Sequence, residues 1–550
     1  MATKPQPRLS VAMVVEDEPT EVLAPSIESV RAVADEIVVL WAGPAAPIPQ
    51  TLADLGVTVR AAAWENDRSA LRNRLLGEAA GRWVLWLDPG ERLAPESAEA
   101  VIAFLEEPAE PLSAARLWIE MPPGEAGEPA QQAARVRLIP HRADLRFEGR
   151  VRETMLPSIR AAGMPIALLS GRILAHPGQK SASWRAARAQ RDIELAMLEQ
   201  GPNDSLPVRS LLAMADAALV LEDWPLARQS YSEAVRIAPP GSTEKLEGYY
   251  GLLATYASDS GEAEEQLAVA VEALEAFPLD AQLLLAMGGY LQGCGRLDLA
   301  TRCFELAARF GQIDVETWHP CDLAQTAVMC LGASLRLQGR IDEAIRVFSE
   351  SLGAHPEWMR VRRSLLELLV RRGQSAEALR VAERLAVEPR HREPLRNAIR
   401  GACRAARHEW AEALDFLQRA WQAGCRDPIC LRGLVQACVA TGKSEGVASL
   451  LAQWEAAEPD SPEVQAYRQA LSASQDTVVP ALAGAGEVSE TWVRIDPADP
   501  PGPAVTHLPW VTQAVCWSLP YPAGTVADSL AASPWAGPGR PSSTAAETGQ

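Results

Sequence analysis

Short apolar runs alternate with mixed polar and apolar stretches from the start of the chain to about Ala175. Leu9–Val15 is followed at once by the acidic triplet Glu16-Asp17-Glu18, and further runs lie at Asp35–Leu40, Val57–Arg60 and Trp83–Leu87. Runs of this length, bounded by turn residues, predict strands buried on both faces. The intervening stretches at 21–34 and Arg68–Ala80 read as helices. Strands separated by helices imply parallel pairing through crossovers, hence an α/β domain. Further strands are expected at Ala115–Met121, Arg135–Pro140 and Pro165–Ala175, with a Pro/Gly/Glu-rich loop at 122–130 and a helix over Arg185–Glu199 leading out of the domain.

The run Trp83–Leu87 ends in Asp88-Pro89-Gly90-Glu91. Ligands of open α/β sheets bind beyond strand tips at a topological switch point, so Asp88 stands where chemistry would be done. The same four residues also have a purely structural reading. Pro followed by Gly suits the two central positions of a type II turn.

Beyond Gly201-Pro202 the pattern becomes helical and repeats. Gly261 and Gly295 have the same separation as Gly339 and Gly373, a period of about 34 residues. Pro278, Pro356 and Pro459 follow Gly261, Gly339 and Gly442 at one constant offset. Ala300, Ala344, Ala378 and Ala413 fill a small slot in the second helix of a repeat, and Phe304, Phe348 and Leu417 a large one a helical turn further on. Glu222, Ala227, Tyr231 and Pro239 form a first, degenerate copy, and Arg407 stands in another glycine slot. The period and slots resemble tetratricopeptide repeats, about seven of them over residues 205–472. An insertion of about ten residues, long against the usual helix–helix connection and containing Trp318-His319-Pro320, precedes the fourth. Such an all-α solenoid implies a groove for a protein or peptide partner; the alternative is a spacer.

Composition narrows the remaining classes. A chain of 550 residues exceeds one core, and roughly 150 residues per domain suggests three or four units. A formal net charge of −19 argues against a nucleic-acid or anionic-membrane surface. Leu9–Val15 is short for a signal-peptide core, and no run reaches the roughly 18 apolar residues of a membrane span. The expected location is cytoplasmic. All nine cysteines lie beyond residue 293 without a C-x-x-C pair, which fits buried thiols in a reducing compartment. Residues 475–550 are rich in Pro, Gly, Ala and Ser and are expected to be mostly disordered, with Val511–Leu519 as a single possible strand and Trp492, Trp510, Trp517 and Trp535 as docking points.

Residues 8–200 resemble family 2 nucleotide-sugar glycosyltransferases, of the kind followed by tetratricopeptide repeats. The strand at Trp83–Leu87 is similar to that family's "W-x-L-x-x-D-A-D-E" strand, whose two aspartates hold a divalent cation bridging the donor diphosphate. Leu9–Glu18 resembles its opening strand and "K-N-E" turn, Asp35–Val39 its "D-E-I-x-V" strand, Ala70-Leu71-Arg72-Asn73 its "A-x-R-N" helix, and Gly149–Glu153 its "G-x-x-H-E" acceptor loop. The resemblance implies a glycosyltransferase A-like, mostly parallel sheet. It also implies Arg72 and Asp17 at the nucleotide, Asp88, Glu91 and His176 at Mn²⁺ or Mg²⁺, and Glu153 as base.

Several positions depart from that pattern. Gly90 replaces the second aspartate, Trp41 the nucleoside aspartate and Arg152 the histidine, and Ala42-Gly43-Pro44-Ala45-Ala46 lacks the polar groups of "T-G-S-x-D". An arginine cannot act as a base near neutral pH. Each remaining candidate has a second reading: Arg72 pairs with Glu65 or Asp67, Glu153 with Arg150 or Arg152, and His176 caps a strand. Two functions follow. One is a protein-binding scaffold on a degenerate transferase domain; the other is an active nucleotide-sugar glycosyltransferase modifying a protein or glycan held by the repeats.

Overall fold

The computed structural model describes residues 6–16, 18, 20–43, 55–106, 112–123, 129–175, 181–257, 263–293, 295–385, 389–443, 446–458, 461–475, 492–494 and 518–520. They form an N-terminal α/β part and a C-terminal helical-repeat part, as the sequence pattern predicts. Packing divides the chain into two compact units. The first runs to Leu283 and takes in Gln312–Leu323, and the second includes Leu284–Gly311 and the helices from Ala324 onward.

The first unit is built on nine strands: β1 (Leu9–Val15), β2 (Glu36–Trp41), β3 (Thr58–Ala61), β4 (Trp83–Trp86), β5 (Arg92–Leu93), β6 (Ala114–Met121), β7 (Gln131–Pro140), β8 (Ile166–Leu174) and β9 (His319–Pro320). Their order is β3-β2-β1-β4-β7-β6-β8-β5, with β9 added beside β7. Pairing is parallel from β3 through β4 and mixed beyond, because β7 runs antiparallel to both β4 and β6. The apolar runs of β1 and β4 are buried on both faces, as continuous hydrophobic strands must be. One face carries a core with Val11, Met13, Leu85 and Ile27, the other a core with Ala12, Leu40, Trp86 and Leu75.

The core continues past Gly201-Pro202. Val151 of the sheet domain, Leu195 of the helix Ala182–Met197, and Leu211, Leu212 and Tyr231 of the first repeat belong to one buried cluster. The insertion before the fourth repeat also has a definite destination. His319 and Pro320 pair with Gln132 and Gln131, extending the N-terminal sheet.

The root of that insertion holds a buried acid. Asp280 is 6% exposed; one of its oxygens accepts from Tyr250 Oη at 2.7 Å and the other from the Leu283 amide at 2.9 Å. Burial raises its pKa from the ordinary 3.8 to about 6. The unfolded chain therefore loses this proton first as pH rises. The contribution is fully present below the unfolded pKa and lost as pH climbs through the folded one, about 3 kcal/mol at about 1.4 kcal/mol per pH unit. Urea unfolding of the full chain from pH 4 to pH 7 should include that loss, and Asp280→Asn should reduce the slope by about that amount, leaving the part that Glu91 contributes. A slope unchanged by Asp280→Asn would rule this group out as its source.

In the second unit the repeat slots have clear packing roles. Ala300, Ala344, Ala378 and Ala413 are fully buried, and Phe304, Phe348 and Leu417 are at most 2% exposed. Each large residue meets a glycine of the preceding helix, always at the same offset in sequence. A Cβ on Gly288, Gly332 or Gly401 would lie 2.4, 2.1 or 2.5 Å from Phe304, Phe348 or Leu417. Gly295, Gly339 and Gly373 turn between helices at φ +73, +71 and +67, a region that favours glycine. Among the described residues no helix is long and apolar enough to cross a membrane. The expectation of a disordered tail falls mostly outside the described residues; within it Trp492–Arg494 and Ser518–Pro520 pair antiparallel.

Candidate functional site

From β1 the chain proceeds outward through β2 and β3, then returns to the other side of β1 as β4. The crevice beyond the C-terminal ends of β1 and β4 is therefore a switch point. Glu16 follows the first of these strands and Asp88 the second.

Asp88-Pro89-Gly90-Glu91 is a type II turn. The Glu91 amide donates to the Asp88 carbonyl at 2.9 Å, and Gly90 has φ +91. The turn folds Glu91 back, so that its carboxylate accepts from the Asp88 amide at 2.8 Å. Two arginines then close on the pair. Arg72 Nη2 reaches Asp88 Oδ1 at 3.0 Å, while Arg137 donates to Asp88 Oδ2 at 2.9 Å and to Glu91 Oε1 at 2.6 Å. Trp86 Nε1 also donates to Asp88 Oδ1, at 3.2 Å.

Charge in this cluster is divided unequally. Burial alone would raise the Asp88 carboxyl, but the Arg137 and Arg72 guanidiniums outweigh it and hold the group well below the usual carboxylate range. Burial pushes the Glu91 carboxyl up; Arg137 opposes this and the Asp88 charge adds to it. Asp88 is the permanently ionised member.

Arg72 also joins Glu153 to the network, donating from Nε to Oε1 at 2.6 Å. Its guanidinium lies 4.6 Å from the Trp86 ring centre and 5.3 Å from that of Phe147. The neighbouring Asn73 fixes Phe147, donating to its carbonyl at 2.9 Å and accepting from its amide at 2.8 Å. The Arg-Asn pair of this helix thus orients one wall of the site. The pairing of Arg72 with Glu65 or Asp67 does not occur. Asp67 is the N-cap of the helix Arg68–Glu78 and accepts from the Ala70 amide and the Ser69 hydroxyl instead.

Glu153 likewise pairs with neither of its neighbours in sequence. Arg152, at φ +47, turns away to Glu247 at 3.0 Å and Asp216 at 3.6 Å, both on repeat helices of the same unit. Arg150 donates to the Asn66 carbonyl at 2.9 Å. Arg152 therefore fastens its loop to the first repeats.

The tip of β1 is closed in a similar way. Glu16 accepts from Arg68 at 3.0 Å and lies 3.2 Å from Arg188, which also reaches Glu18 at 3.3 Å. Arg68 in turn meets Asp192 at 2.5 Å. The ring of Trp41 sits so close to Gly43 that a Cβ there would lie 2.8 Å away. Asp17 and His176 fall outside the described residues.

A hard divalent cation takes six or more oxygen ligands. At Asp88 and Glu91 every carboxylate oxygen already accepts from a guanidinium, an indole or an amide. This donor set does not fit a metal ion. Among the described residues no group of three or more His, Cys, Asp or Glu side chains is gathered for one.

Sequence reasoning missed Arg137 and Phe147. The signal for the first was present: Arg135 and Arg137 are two apart on a strand and share a face. What could not be read was the antiparallel register, Leu85 opposite Leu138, that brings that face to Asp88.

No family profile matches the chain. It is 31% identical over 154 residues to a TPR repeat-containing protein of Synechococcus elongatus, covering 28% of this chain. Among solved structures, a tetratricopeptide repeat protein from Parabacteroides merdae aligns at 16% identity and a TM-score of 0.31, over 45% of this chain and 92% of that one. TarS of S. aureus aligns at 15% identity and a TM-score of 0.26, over 46% of this chain and 53% of that one. The chain spans 37% of the length of the curated relative it matches.

Proposed function

We propose that this chain is a protein-binding repeat scaffold carried on a glycosyltransferase-like domain whose metal-dependent transfer site has been replaced by a closed arginine–carboxylate network. The observation that carries this reading is the double engagement of Asp88 by Arg72 and Arg137. In a transferase of this type Asp88 and Glu91 would hold Mn²⁺ or Mg²⁺ and Glu153 would serve as base. Here Arg72 and Arg137 supply the positive charge, and Glu153 is ion-paired to Arg72. The sequence similarity to a TPR repeat-containing protein supports a protein or peptide as the partner. A reducing, cytoplasmic location is proposed with it, because Cys403, Cys425, Cys430 and Cys438 are buried thiols.

The second reading, an active nucleotide-sugar glycosyltransferase, draws on the position of Asp88 at the switch point and on the cavity in front of it. The two are separated by titrating uridine- and guanosine-diphosphate sugars into the full chain with and without Mn²⁺. The scaffold reading predicts no saturable Mn²⁺-dependent binding in the low micromolar range. It also predicts that Gly90→Asp alone restores little, because position 90 lies at φ +91 and a side chain there is strained. Tight metal-dependent binding that Asp88→Ala abolishes would overturn the scaffold reading in favour of the transferase one.

A further inference from the structure

The connection between the helices Trp410–Gln422 and Pro428–Ala440, inside the second unit, brings two thiols together. Gly424, at φ +89, ends the first helix, and the Cys425 amide donates back to the Ala420 carbonyl at 3.0 Å. Asp427 starts the second helix as its N-cap, accepting from the Ile429 amide at 2.9 Å, while the Cys430 amide donates to the Asp427 carbonyl at 2.9 Å. The turn is also pinned from outside. Arg426 lies 3.5 Å from the Trp421 ring centre and donates to the Trp421 carbonyl at 2.9 Å. Arg363, on the helix Met359–Arg371, holds both Asp427 oxygens, at 2.6 and 2.8 Å. Within this fixed turn the Cys425 and Cys430 side chains are hydrogen-bonded to each other and belong to one buried cluster.

The two thiols are not equivalent. Cys430 is fully buried, and its sulfur donates to the Leu417 carbonyl at 3.8 Å. Cys425 is 9% exposed and adjoins the exposed Arg426. The hydrogen bond from Cys430 holds the Cys425 thiol below its ordinary pKa; burial opposes this, and the Arg426 charge is among the smaller effects that add to it. The same bond, together with burial, pushes Cys430 up. Cys425 is thus the readier nucleophile, and Cys430 keeps its proton. Elsewhere in this unit burial raises the thiols of Cys438 and Cys403, the latter to about 12.

A more acidic thiol near the surface, in contact with a protonated one beneath it, is an arrangement of attacking and resolving sulfurs. We infer that Cys425 and Cys430 form a reversible redox pair, which a hydroperoxide converts to an intramolecular disulfide. The Cys425 thiolate attacks the peroxide, so that the O–O bond breaks, a sulfenic acid forms, and the departing alkoxide takes up the proton that Cys425 lost. The Cys430 sulfur then attacks that of Cys425. The S–S bond forms, the S–O bond breaks, and the hydroxyl leaves with the Cys430 proton as water. Two thiols lose two electrons and one hydroperoxide gains them. For this the sulfurs close from hydrogen-bond contact to about 2 Å. Disulfides in reducing compartments are usually of this transient, sensing kind. Asp427 lies inside the loop that the bond closes, so oxidation bears on its ion pair with Arg363 of an earlier repeat.

Arg426 stands between the two cysteines, so trypsin separates them and only a disulfide keeps their peptides joined. The test is to treat the reduced full chain with hydrogen peroxide, alkylate the remaining thiols, digest, and map the peptides by mass spectrometry. The expected product is the linked Cys425–Cys430 pair, lost on reduction with dithiothreitol, with Cys403 and Cys438 still alkylated. Cys425→Ser should slow oxidation at Cys430 about tenfold or more, because the readier nucleophile is gone. Cys430→Ser should accumulate a Cys425 sulfenic acid that dimedone traps. No linked pair from the unmodified chain overturns the inference, as does linkage of either residue to a different cysteine. Dimedone labelling of Cys425 no greater in Cys430→Ser than in its parent is also a contrary result. The peptide map needs no variant, so it decides even where a serine variant fails to fold.

Discussion

Arg137→Met is expected to lower the unfolding free energy of the chain by about 3–5 kcal/mol, the range for removing one partner of a buried ion pair. Arg137 is 11% exposed and is the only described cation that touches both Asp88 and Glu91. Without it Glu91 loses its ion partner, and Asp88 keeps only Arg72, which it shares with Glu153. Glu91, with a side chain 10% exposed, then stands beside the Asp88 charge with no cation of its own, which disfavours its ionised form. Urea unfolding at neutral pH measures the loss. The same variant frees oxygens for a hard cation, so millimolar Mn²⁺ should restore part of the stability through binding to the folded state. The double change Arg137→Met, Asp88→Asn should be milder than the single one and insensitive to Mn²⁺. A loss under about 1 kcal/mol, as for an exposed pair, would mean that the network does not organise the site.

The second large effect is expected in the repeats. Gly332→Val places two methyl groups against Phe348, where even a Cβ would sit 2.1 Å from the ring. Phe348 is 1% exposed and cannot swing into solvent. Overpacking of this kind costs about 1–3 kcal/mol and sometimes more, and a β-branched residue in mid-helix adds to it. The full chain should therefore lose several degrees of melting temperature. Phe348→Ala alone costs more, about 3–5 kcal/mol, but Gly332→Val combined with it should lose less than the sum of the two, since each change fills or opens the space of the other. A double variant whose loss equals the sum of the two single losses would show that the two residues are not partners.

Much of this architecture is legible in the sequence because it depends on local signals. Continuous apolar runs mark β1, β2 and β4 within a residue or two, and Pro89-Gly90 specifies the turn that folds Glu91 onto the Asp88 amide. The alanine and phenylalanine slots of the repeats are likewise visible. The constant offset from Gly288 to Phe304 and from Gly332 to Phe348 is written there too, but only contact between the helices gives it meaning.

What stayed hidden is non-local. Arg137 is distant from Asp88 in sequence and reaches it through a strand register that no turn specifies. The insertion at Trp318-His319-Pro320 interrupts the repeat period plainly, yet its partners Gln131 and Gln132 lie far earlier in the chain, before the first repeat. Arg152 reads as a lost histidine in the sequence. In the fold it is a positioned cation, held by acids of two repeat helices.

In the proposed reading, Arg72 and Arg137 stand in place of a divalent cation at the switch point. Electron paramagnetic resonance of free Mn²⁺, titrated into the full chain at neutral pH, tests it without reference to any substrate. The free Mn²⁺ signal is expected to rise in step with added metal for the unmodified protein, with a saturable site only in Arg137→Met. One equivalent of Mn²⁺ bound in the micromolar range by the unmodified chain, and released in Asp88→Ala, would contradict it.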